Sequence, residues 1–297
     1  MRIRSLAFGP IFGQTRLTIM EPDVTDAPYT IDIGAYLARI GYSGPRTATL
    51  DTLRALHALH PAAIAFENLD PLLSRRVHLD PLSMERKLVQ AGRGGYCFEQ
   101  NGLFALALIG LGYKVIGLAA HVYINQMPGR IRRSHMLLKV DLPEGPYIAD
   151  VGFGAWALSG PLSLLDEGEQ QTPHGPFRVA RAGEQFDVQT EVNGDWTTLY
   201  RFMVEEQLPQ DYEVSNWYCA THPESRFTTE LMVARLPAGR RLGMLNNRLS
   251  VHYPDGRTER RELKSADEIA AVLENDFTIR LPQPREEVMA ALAKLVP

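Results

Sequence analysis

The chain has 297 residues, of which 31 are basic and 35 acidic, giving a formal net charge of −4. This near balance argues against a nucleic-acid-binding protein, whose domain would be basic with clustered lysines and arginines. Hydrophobic residues make up 45% of the chain, which predicts a packed core, and the 2 cysteines disfavour a disulfide scaffold or a thiolate zinc site.

The N-terminal stretch, residues 1–27, has little periodic pattern and is predicted to be a loosely ordered extension. Glycines and a proline interrupt its apolar residues, so a secretory signal is rejected. The longest strongly apolar run, residues 103–111, is well short of the ~18 residues that a membrane-spanning helix needs. These features predict a cytoplasmic protein with no membrane partner.

The next region, residues 28–112, is predicted to be a helical domain. Apolar residues at helical spacing indicate one helix that ends at Gly41 and a second that ends at Pro61. A third helix is expected over residues 82–91. A fourth, from about Cys97 to residue 111, is apolar on nearly all sides and should therefore be a buried central helix.

The chain then changes to short strands over residues 113–215. Turns rich in proline and glycine separate the strands, and Asn193-Gly194 is a hairpin signal. This spacing suggests a small barrel or sandwich. The strands are expected over residues 115–123, 135–142, 147–151, 177–180, 186–192 and 197–202.

The last region, residues 216–297, mixes both types of element. Strands are expected over residues 228–236 and 248–253. Ser265 and Glu268 form a capping-box signal for a helix, and a final helix should follow Pro284. Because helices and strands are segregated along the chain rather than alternating, the sequence predicts an α+β fold.

The segment around Cys97 carries the clearest chemical signal. Gly94 and Gly95 allow a tight backbone approach just before the cysteine, which lies where the buried helix is predicted to begin. A thiol at a helix N-terminus is favoured as the thiolate. A free cysteine is, however, often only a small buried hydrophobic residue. Position alone leaves both interpretations open.

A nucleophilic thiolate requires a base, and the base requires an orienting carboxylate. His135 opens one predicted strand and Asp150 lies on the next. A turn centred between residues 142 and 143 would make them direct partners, whereas a turn over residues 143–146 would offset them by four residues, or roughly 13 Å. Both registers place the pair on one face of the sheet, so the sequence permits the contact without requiring it. The order of cysteine, histidine and aspartate is also that of papain-like hydrolases and transglutaminases.

Several segments together resemble the arylamine N-acetyltransferase family. The resemblance extends from about Tyr29 to beyond Asp276 and is strongest between Phe66 and Gly154. Its motifs are FENL at residues 66–69, RGGYCFEQN at 93–101, SHMLL at 134–138, ADVGFG at 149–154, and SNWY followed by THP at 215–223.

The resemblance implies a three-part fold: a helical bundle, a central small β-barrel and a C-terminal α/β lid, with a papain-like Cys-His-Asp arrangement. It implies Cys97 as the nucleophile, His135 as its base and Asp150 as the residue that orients the base. Two aromatic residues, Phe66 and Phe153, would line the acceptor pocket, and the loop formed by Gly152, Phe153 and Gly154 would lie beside the coenzyme.

The implied reaction moves an acetyl group from acetyl-CoA to an arylamine, arylhydrazine or arylhydroxylamine. An acetyl-cysteine intermediate and ping-pong kinetics are expected. The alternatives are a cysteine hydrolase, a transglutaminase-like enzyme or an amide synthase that uses the same triad, and a binding module that keeps the fold without catalysis.

Other candidate features are interpreted more simply. His57 and His60 are three residues apart, but no HExxH pattern accompanies them, so no metal is expected. Cys219 is interpreted as a packed thiol, and Arg93 is expected to pair with Glu67 in a buried ion pair. The basic clusters are interpreted mainly as solvated charges, one of which could meet a coenzyme phosphate; they are Arg130, Arg132, Arg133, Arg240, Arg241, Arg260 and Arg261.

Overall fold

The computed structural model describes residues 29–125, 131–192 and 194–296. Two units are distinguished along the chain, Met1–Thr30 and Ile31–Pro297, and the second holds nearly all of the described residues. The N-terminal extension, Arg130 and the first residue of the Asn193-Gly194 turn lie outside the described residues. Among the described residues, no helix combines the length and apolar character that crossing a membrane requires.

Helices dominate the first third of the second unit and recur near its end. α1 ends at Gly41, whose left-handed backbone closes the helix as the sequence predicts, and α5 begins at Cys97. A π-helical segment, Arg86–Gln90, follows α4 directly. The helices are α1 Ile33–Ile40, α2 Leu50–Ala63, α3 Leu69–Leu72, α4 Pro81–Glu85, α5 Cys97–Gly110, α6 Asp211–Thr221, α7 Arg226–Thr229, α8 Ala266–Asn275 and α9 Arg285–Ala293.

Thirteen strands form two antiparallel sheets within the described residues. One sheet has eight strands in the order β5-β4-β3-β2-β9-β8-β7-β6 and is barrel-like, since β5 near one edge contacts β7 near the other. The other has five strands in the order β1-β10-β11-β12-β13. The strands are β1 Phe66–Glu67, β2 Lys114–Val122, β3 Arg133–Leu142, β4 Gly145–Ala149, β5 Leu162–Ser163, β6 Gln170–Thr172, β7 Gly175–Ala182, β8 Gln185–Val192, β9 Asp195–Phe202, β10 Met232–Arg235, β11 Arg241–Leu245, β12 Arg248–His252 and β13 Thr258–Glu262.

Three buried apolar clusters stabilise this arrangement. The first packs α1, α2 and α5 against one face of β3 and against α6. The second lies between the five-stranded sheet and helices α8 and α9, and the third fills the interior of the eight-stranded sheet. Each cluster buries the apolar side of its elements, so the mixed α and β fold follows from the periodicity of the sequence.

Several boundaries differ from the sequence prediction. The strand expected over residues 147–151 is β4, which ends at Ala149, so Asp150 follows this strand rather than lying on it. Pro61 does not end α2, which continues to Ala63 because the backbone N–H of Ile64 still bonds to the carbonyl of His60. The strand expected over residues 228–236 is shorter, since its first two residues belong to α7. The side chain of Ser225 caps that helix by accepting a hydrogen bond from the N–H of Phe227.

Candidate active site

Cys97 is the first residue of α5, and the glycines before it allow this placement. A Cβ at Gly94 would lie only 2.0 Å from the carbonyl oxygen of Ala65, so a larger residue cannot occupy this turn. The carboxylate of Glu99 accepts the backbone N–H of Tyr96 at 3.1 Å and stabilises the start of the helix. Only 4% of the cysteine is exposed. Its thiol therefore lies buried at the start of α5.

The thiol of Cys97 faces β3. It donates to the carbonyl oxygen of Ser134 at 3.7 Å and interacts with the imidazole of His135. Ser134 is an extra residue in β3, because Ala120 pairs with His135 while His121 pairs with Arg133. Such a bulge redirects neighbouring side chains. The bulge thus places a carbonyl and an imidazole beside the same sulfur atom.

His135 and Asp150 are bonded to each other, but in neither register expected from the sequence. β3 and β4 pair with Leu142 opposite Gly145, so the turn consists of residues 143–144 and the two residues are offset by two positions. Diagonal neighbours of this kind share a face and lie within reach of each other. Nε2 of His135 lies 2.8 Å from Oδ2 of Asp150, and both side chains are buried.

Asp150 is held by hydrogen bonds on several sides. Its Oδ1 accepts from the side-chain amide of Asn101 at 2.9 Å and from the backbone N–H of Gly152 at 3.0 Å. Its own backbone N–H donates to Nε2 of His57 at 2.9 Å. Neither Asn101 nor His57 is predictable as a partner from the sequence, because both contacts depend on how α2 and α5 pack against the end of β4.

The protonation states follow from burial and from the His135 contact with Asp150. Burial, the largest effect, disfavours the imidazolium of His135, yet the charge and hydrogen bond of Asp150 outweigh it and raise the pKa of His135 to about 9. Burial likewise opposes ionisation of Asp150, but His135 and the hydrogen bonds lower the pKa of that carboxyl. Aspartate and imidazolium therefore stabilise each other.

The pKa of the Cys97 thiol is raised, chiefly by burial, while the hydrogen bond and charge of His135 act in the opposite direction. Because Asp150 engages Nε2 of His135, Nδ1 is the ring nitrogen left for the thiol. The arrangement can therefore ionise the sulfur by moving its proton onto His135.

A cavity of about 830 Å³ opens beside the thiol. Phe66 and Phe153 line it, as do Gly152 and Gly154, and the ring of Phe153 lies 4.6 Å from that of His135. Asp150 lies behind His135 and does not line the cavity. The sequence prediction thus selected residues that the fold brings together around one cavity.

The remainder of the cavity lies against the five-stranded sheet, which the sequence analysis did not connect to Cys97. A row of directly paired residues crosses the sheet: Phe66, Ala234, Gly243, Ser250 and Arg260. The three middle side chains are small, so the row forms a groove that runs from beside the thiol to a basic end. No local sequence signal reveals it, because it depends on pairing between distant strands.

The remaining candidate residues have structural contacts. Arg93 bonds to Glu67, as expected, with Nη2 2.8 Å from Oε1. Cys219 is buried, and burial raises the pKa of its thiol to about 12. His57 and His60 are buried in the helical core, and no group of metal-ligating side chains is found within the described ranges.

The predicted basic clusters differ in their surroundings. Arg132 and Arg133 form partly exposed ion pairs with Glu224 and Glu205. Arg241, in β11, donates to the carbonyl oxygen of Ala155 in the segment after β4 and to that of His174 in the turn between β6 and β7. The cavity is lined by Arg260 and Arg261, and also by Arg248, which the sequence analysis did not single out.

Comparisons with known proteins identify the family of this chain. The N-acetyltransferase family model matches residues 49–286. The arylamine N-acetyltransferase of Escherichia coli strain K12 is 42% identical over 244 residues, which cover 82% of this chain and 86% of the relative. The arylamine N-acetyltransferase / N-hydroxyarylamine O-acetyltransferase of Salmonella typhimurium is 36% identical over 82% of this chain and 87% of its own.

Solved structures give the same result. The arylamine N-acetyltransferase of Mycobacterium marinum has a TM-score of 0.86 and 37% sequence identity, and the match covers 90% of this chain and 100% of that one. The structure of that protein in complex with CoA also matches with a TM-score of 0.86. The matched region contains the cysteine motif, both sheets and most of the helices. This chain therefore belongs to the N-acetyltransferase family and, within it, to the arylamine N-acetyltransferases.

Proposed function

We propose that this protein transfers an acetyl group from acetyl-CoA to an arylamine, arylhydrazine or arylhydroxylamine through an acetyl-cysteine at Cys97. The observation that carries the proposal is the buried thiol beside His135, whose Nε2 lies 2.8 Å from Asp150, at the wall of a large cavity. Relatives named for this activity and a structural neighbour solved with CoA support the choice of substrates.

In the first half-reaction, Cys97 reacts as the thiolate paired with the imidazolium of His135, with the thiol proton held on Nδ1, in line with the raised pKa of His135. The sulfur attacks the thioester carbonyl carbon, and the negative charge moves to the carbonyl oxygen. Backbone N–H groups at the start of α5, including that of Cys97, stabilise this oxyanion. The bond between the carbonyl carbon and the coenzyme sulfur then breaks, and the leaving thiolate takes the proton from His135.

In the second half-reaction, the amine nitrogen attacks the carbonyl carbon of acetyl-Cys97. His135 accepts a proton from the nitrogen, the carbon–sulfur bond breaks, and the Cys97 thiolate takes that proton back. In each half-reaction His135 passes on the proton that it holds, to the coenzyme thiolate in the first and to the Cys97 thiolate in the second. Because the coenzyme leaves before the acceptor reacts, the kinetics are ping-pong.

Asp150 supports both half-reactions without exchanging a proton. Its carboxylate holds His135 in the orientation that presents Nδ1 to the sulfur. It also stabilises the imidazolium that forms twice in each cycle, consistent with the raised pKa of His135, about 9, and the lowered pKa of Asp150. This role requires the aspartate to be buried and ionised, which its hydrogen bonds permit.

The groove across the five-stranded sheet is the path proposed for the donor. The small side chains of Ala234, Gly243 and Ser250 leave room for an extended arm between the thiol and the basic end. Adjacent strands lie about 4.8 Å apart, so the four steps from Phe66 to Arg260 span roughly 19 Å. Arg248 and Arg260 would meet the phosphates, for which guanidinium groups are well suited.

The acceptor is proposed to bind between aromatic side chains. Phe66, Phe153 and Phe227 line the cavity near the thiol. A neutral aromatic amine enters such surroundings at lower desolvation cost than an aliphatic ammonium ion. An arylamine is weakly basic and largely unprotonated near neutral pH, so its nitrogen is available as the nucleophile.

The three domains and the cellular location remain part of this proposal. Residues 28–112 would carry the nucleophile, residues 113–215 the histidine and aspartate, and residues 216–297 would form a lid over the donor. A cytoplasmic location is inferred because acetyl-CoA is an intracellular metabolite.

Intact-mass spectrometry after mixing with acetyl-CoA tests the proposal. One acetyl group should appear on the wild-type protein and on Cys219→Ser, but not on Cys97→Ser. Addition of an arylamine should remove it and yield the N-acetyl product. An unmodified wild-type protein that cleaves amides would instead favour the hydrolase alternative and overturn the transfer reaction.

A further inference from the structure

The backbone of Asp150 is held as well as its carboxylate. Asp150 directly follows β4, whose last residue, Ala149, pairs with Leu138. Its N–H donates to Nε2 of His57 at 2.9 Å. His57 lies on α2, distant in sequence, and is 0% exposed. A helix of the bundle thus contacts the candidate catalytic aspartate through one buried imidazole.

The direction of this hydrogen bond determines the tautomer of His57. Because the N–H of Asp150 points at Nε2, that nitrogen carries the lone pair and the ring proton lies on Nδ1. Burial lowers the pKa of His57 to about 4, so the ring is neutral near neutral pH and Nε2 remains an acceptor. Within the described part of the chain, Nδ1 has no hydrogen-bond partner. Among the described residues, the hydrogen bond that the His57 ring makes is therefore the one that Nε2 accepts from the N–H of Asp150.

We propose that His57 is a positioning residue of the active site, whose neutral imidazole holds the Asp150 peptide so that the carboxylate stays aligned with His135. This inference rests on the proposed function, because it assigns His57 a role in the same reaction. Without an acceptor at Nε2, the N–H of Asp150 would be buried and unpaired, which the peptide can relieve by rotating. Rotation would turn the carboxylate away from His135.

The groups that face Asp150 explain why one more contact matters. Asn101 and the N–H of Gly152 hold Oδ1, while His135 engages Oδ2. Asn101 comes from α5 and His57 from α2, so the aspartate is braced from two helices. The titratable groups that act on Asp150 are His135, His57 and Tyr200. Of these, His57 is the one that contacts the peptide rather than the carboxylate side.

His60 provides a matched control on the same helix. It lies one turn further along α2, is also 0% exposed, and its ring packs at an angle to Phe104, as does that of His57. Its two nitrogens bond to the hydroxyl of Tyr36 at 2.9 Å and to the side chain of Gln100 at 2.7 Å. A change at His60 therefore perturbs the helical core without removing a contact to Asp150.

The first test examines the wild-type protein by nitrogen NMR of its histidine side chains. The inference expects a neutral His57 with the proton on Nδ1 and a non-protonated Nε2 near neutral pH. A proton on Nε2, whether as the other tautomer or as imidazolium, would overturn the inference, because Nε2 could not then accept the Asp150 N–H. This measurement needs no variant at His57 and no substrate.

The second test compares His57→Phe, His57→Gln and His60→Phe. Phenylalanine removes the acceptor, whereas glutamine places an amide oxygen near the position of Nε2. His57→Phe should slow single-turnover acetylation of Cys97 about tenfold to a hundredfold and shift the pH profile of thiol alkylation. His57→Gln should recover most of the acetylation rate and most of the wild-type alkylation profile. His60→Phe should lower thermal stability without shifting the pH profile of alkylation.

The outcomes separate the two proposals. If His57→Phe and His60→Phe give the same alkylation profile and acetylation rate, His57 is only a packing residue and the inference is wrong. If His57→Phe does not fold, the His57→Gln variant decides instead: a folded variant that acetylates Cys97 at close to the wild-type rate supports the inference, whereas a folded but inactive variant overturns it. If wild-type Cys97 takes up no acetyl group, the proposed function fails, while the NMR and alkylation results still decide the placement of His57.

Discussion

Gly152 shows how tightly a single residue constrains the site. A Cβ at this position would lie 2.9 Å from Cα of Cys97 and 2.8 Å from Nδ2 of Asn101, so a methyl group would displace one or both. Gly152→Ala is therefore expected to lower kcat/KM about tenfold or more, since small displacements of reacting groups are costly. Steady-state kinetics with acetyl-CoA and an arylamine would measure the change.

Gly160→Ala is the matched control for this substitution. Gly160 is also buried, but the atoms nearest to its added Cβ lie 3.8 Å away, at ordinary contact distance. Its activity should remain close to that of the wild type. Equal activity of the two variants would contradict the view that the approach of Gly152 to Cys97 maintains the site.

Gly243 lies in the proposed donor groove and offers a second test at one residue. An added Cβ would lie 3.4 Å from that of Ala155, which is ordinary contact, so Gly243→Ala should change little. Gly243→Val adds bulk that projects into the groove. We expect it to raise KM for acetyl-CoA about tenfold, while KM for the acceptor changes less. An unchanged KM for acetyl-CoA would place the donor elsewhere.

At the scale of elements, a buried ion network supports the start of α5. Arg93 contacts Glu67 at 2.8 Å and Asp70 at 3.1 Å, and Lys87 links Asp70 at 2.6 Å to Glu99 at 2.7 Å. Glu99 in turn accepts the N–H of the residue before Cys97. The network therefore connects α3, the π-helical segment and the end of α5 that carries the thiol.

Removal of one cation from this network should be strongly destabilising. Arg93→Met would leave Glu67 and Asp70 without that partner in buried surroundings, and breaking a buried pair in this way costs about 3–5 kcal/mol of unfolding free energy. Arg54→Met is the control, because Arg54 pairs with Asp51 at the surface and such pairs contribute about 0–1 kcal/mol. Urea unfolding would measure both, and similar losses would contradict the assignment.

The elements differ in how well sequence predicts them. α1 is predicted closely because its apolar periodicity ends at a glycine stop, and α5 because a long apolar run follows a glycine-bounded start. The prediction that α2 ends at Pro61 was wrong, because the remaining backbone hydrogen bonds of α2 and the burial of the Pro61 side chain keep the helix intact. The register of β3 with β4 could not be read from the sequence, since the turn over residues 143–144 is neither of the two turns that the sequence suggested.

At the scale of the whole molecule, the cavity is a product of topology. β1, from the N-terminal helical region, is the edge strand next to β10, which brings Phe66 into line with Ala234. Arg241, on the middle strand β11 of the same sheet, donates to one carbonyl oxygen in the segment after β4 and to one in the turn between β6 and β7. The cysteine motif was recognisable in sequence, but the groove was not, because its walls come together only through long-range pairing.

Buried histidines couple the stability of the whole fold to pH. Burial lowers the pKa of His57 to about 4 and that of His60 to about 3, both below the ordinary value of 6.5. Below pH 6.5 these two histidines therefore bind protons in the unfolded chain but stay neutral in the folded chain, so their contribution to stability falls as the pH is lowered. Glu99 acts in the opposite sense. Burial raises its pKa to about 7, so between that pH and its ordinary pKa of 4.5 the folded state binds a proton that the unfolded state does not.

His60→Gln isolates one of these contributions. A histidine whose folded pKa lies below its unfolded value weakens folding by up to about 1.4 kcal/mol per pH unit between those two values. The variant lacks this proton uptake, so its unfolding free energy should fall less steeply than that of the wild type as the pH is lowered from about 6 to about 5.

Urea unfolding at a series of pH values measures both slopes. The comparison uses slopes because the substitution also changes packing, which shifts the free energy at every pH by a similar amount. Parallel curves would mean that His60 is protonated in the folded protein, contrary to its burial between Tyr36 and Gln100.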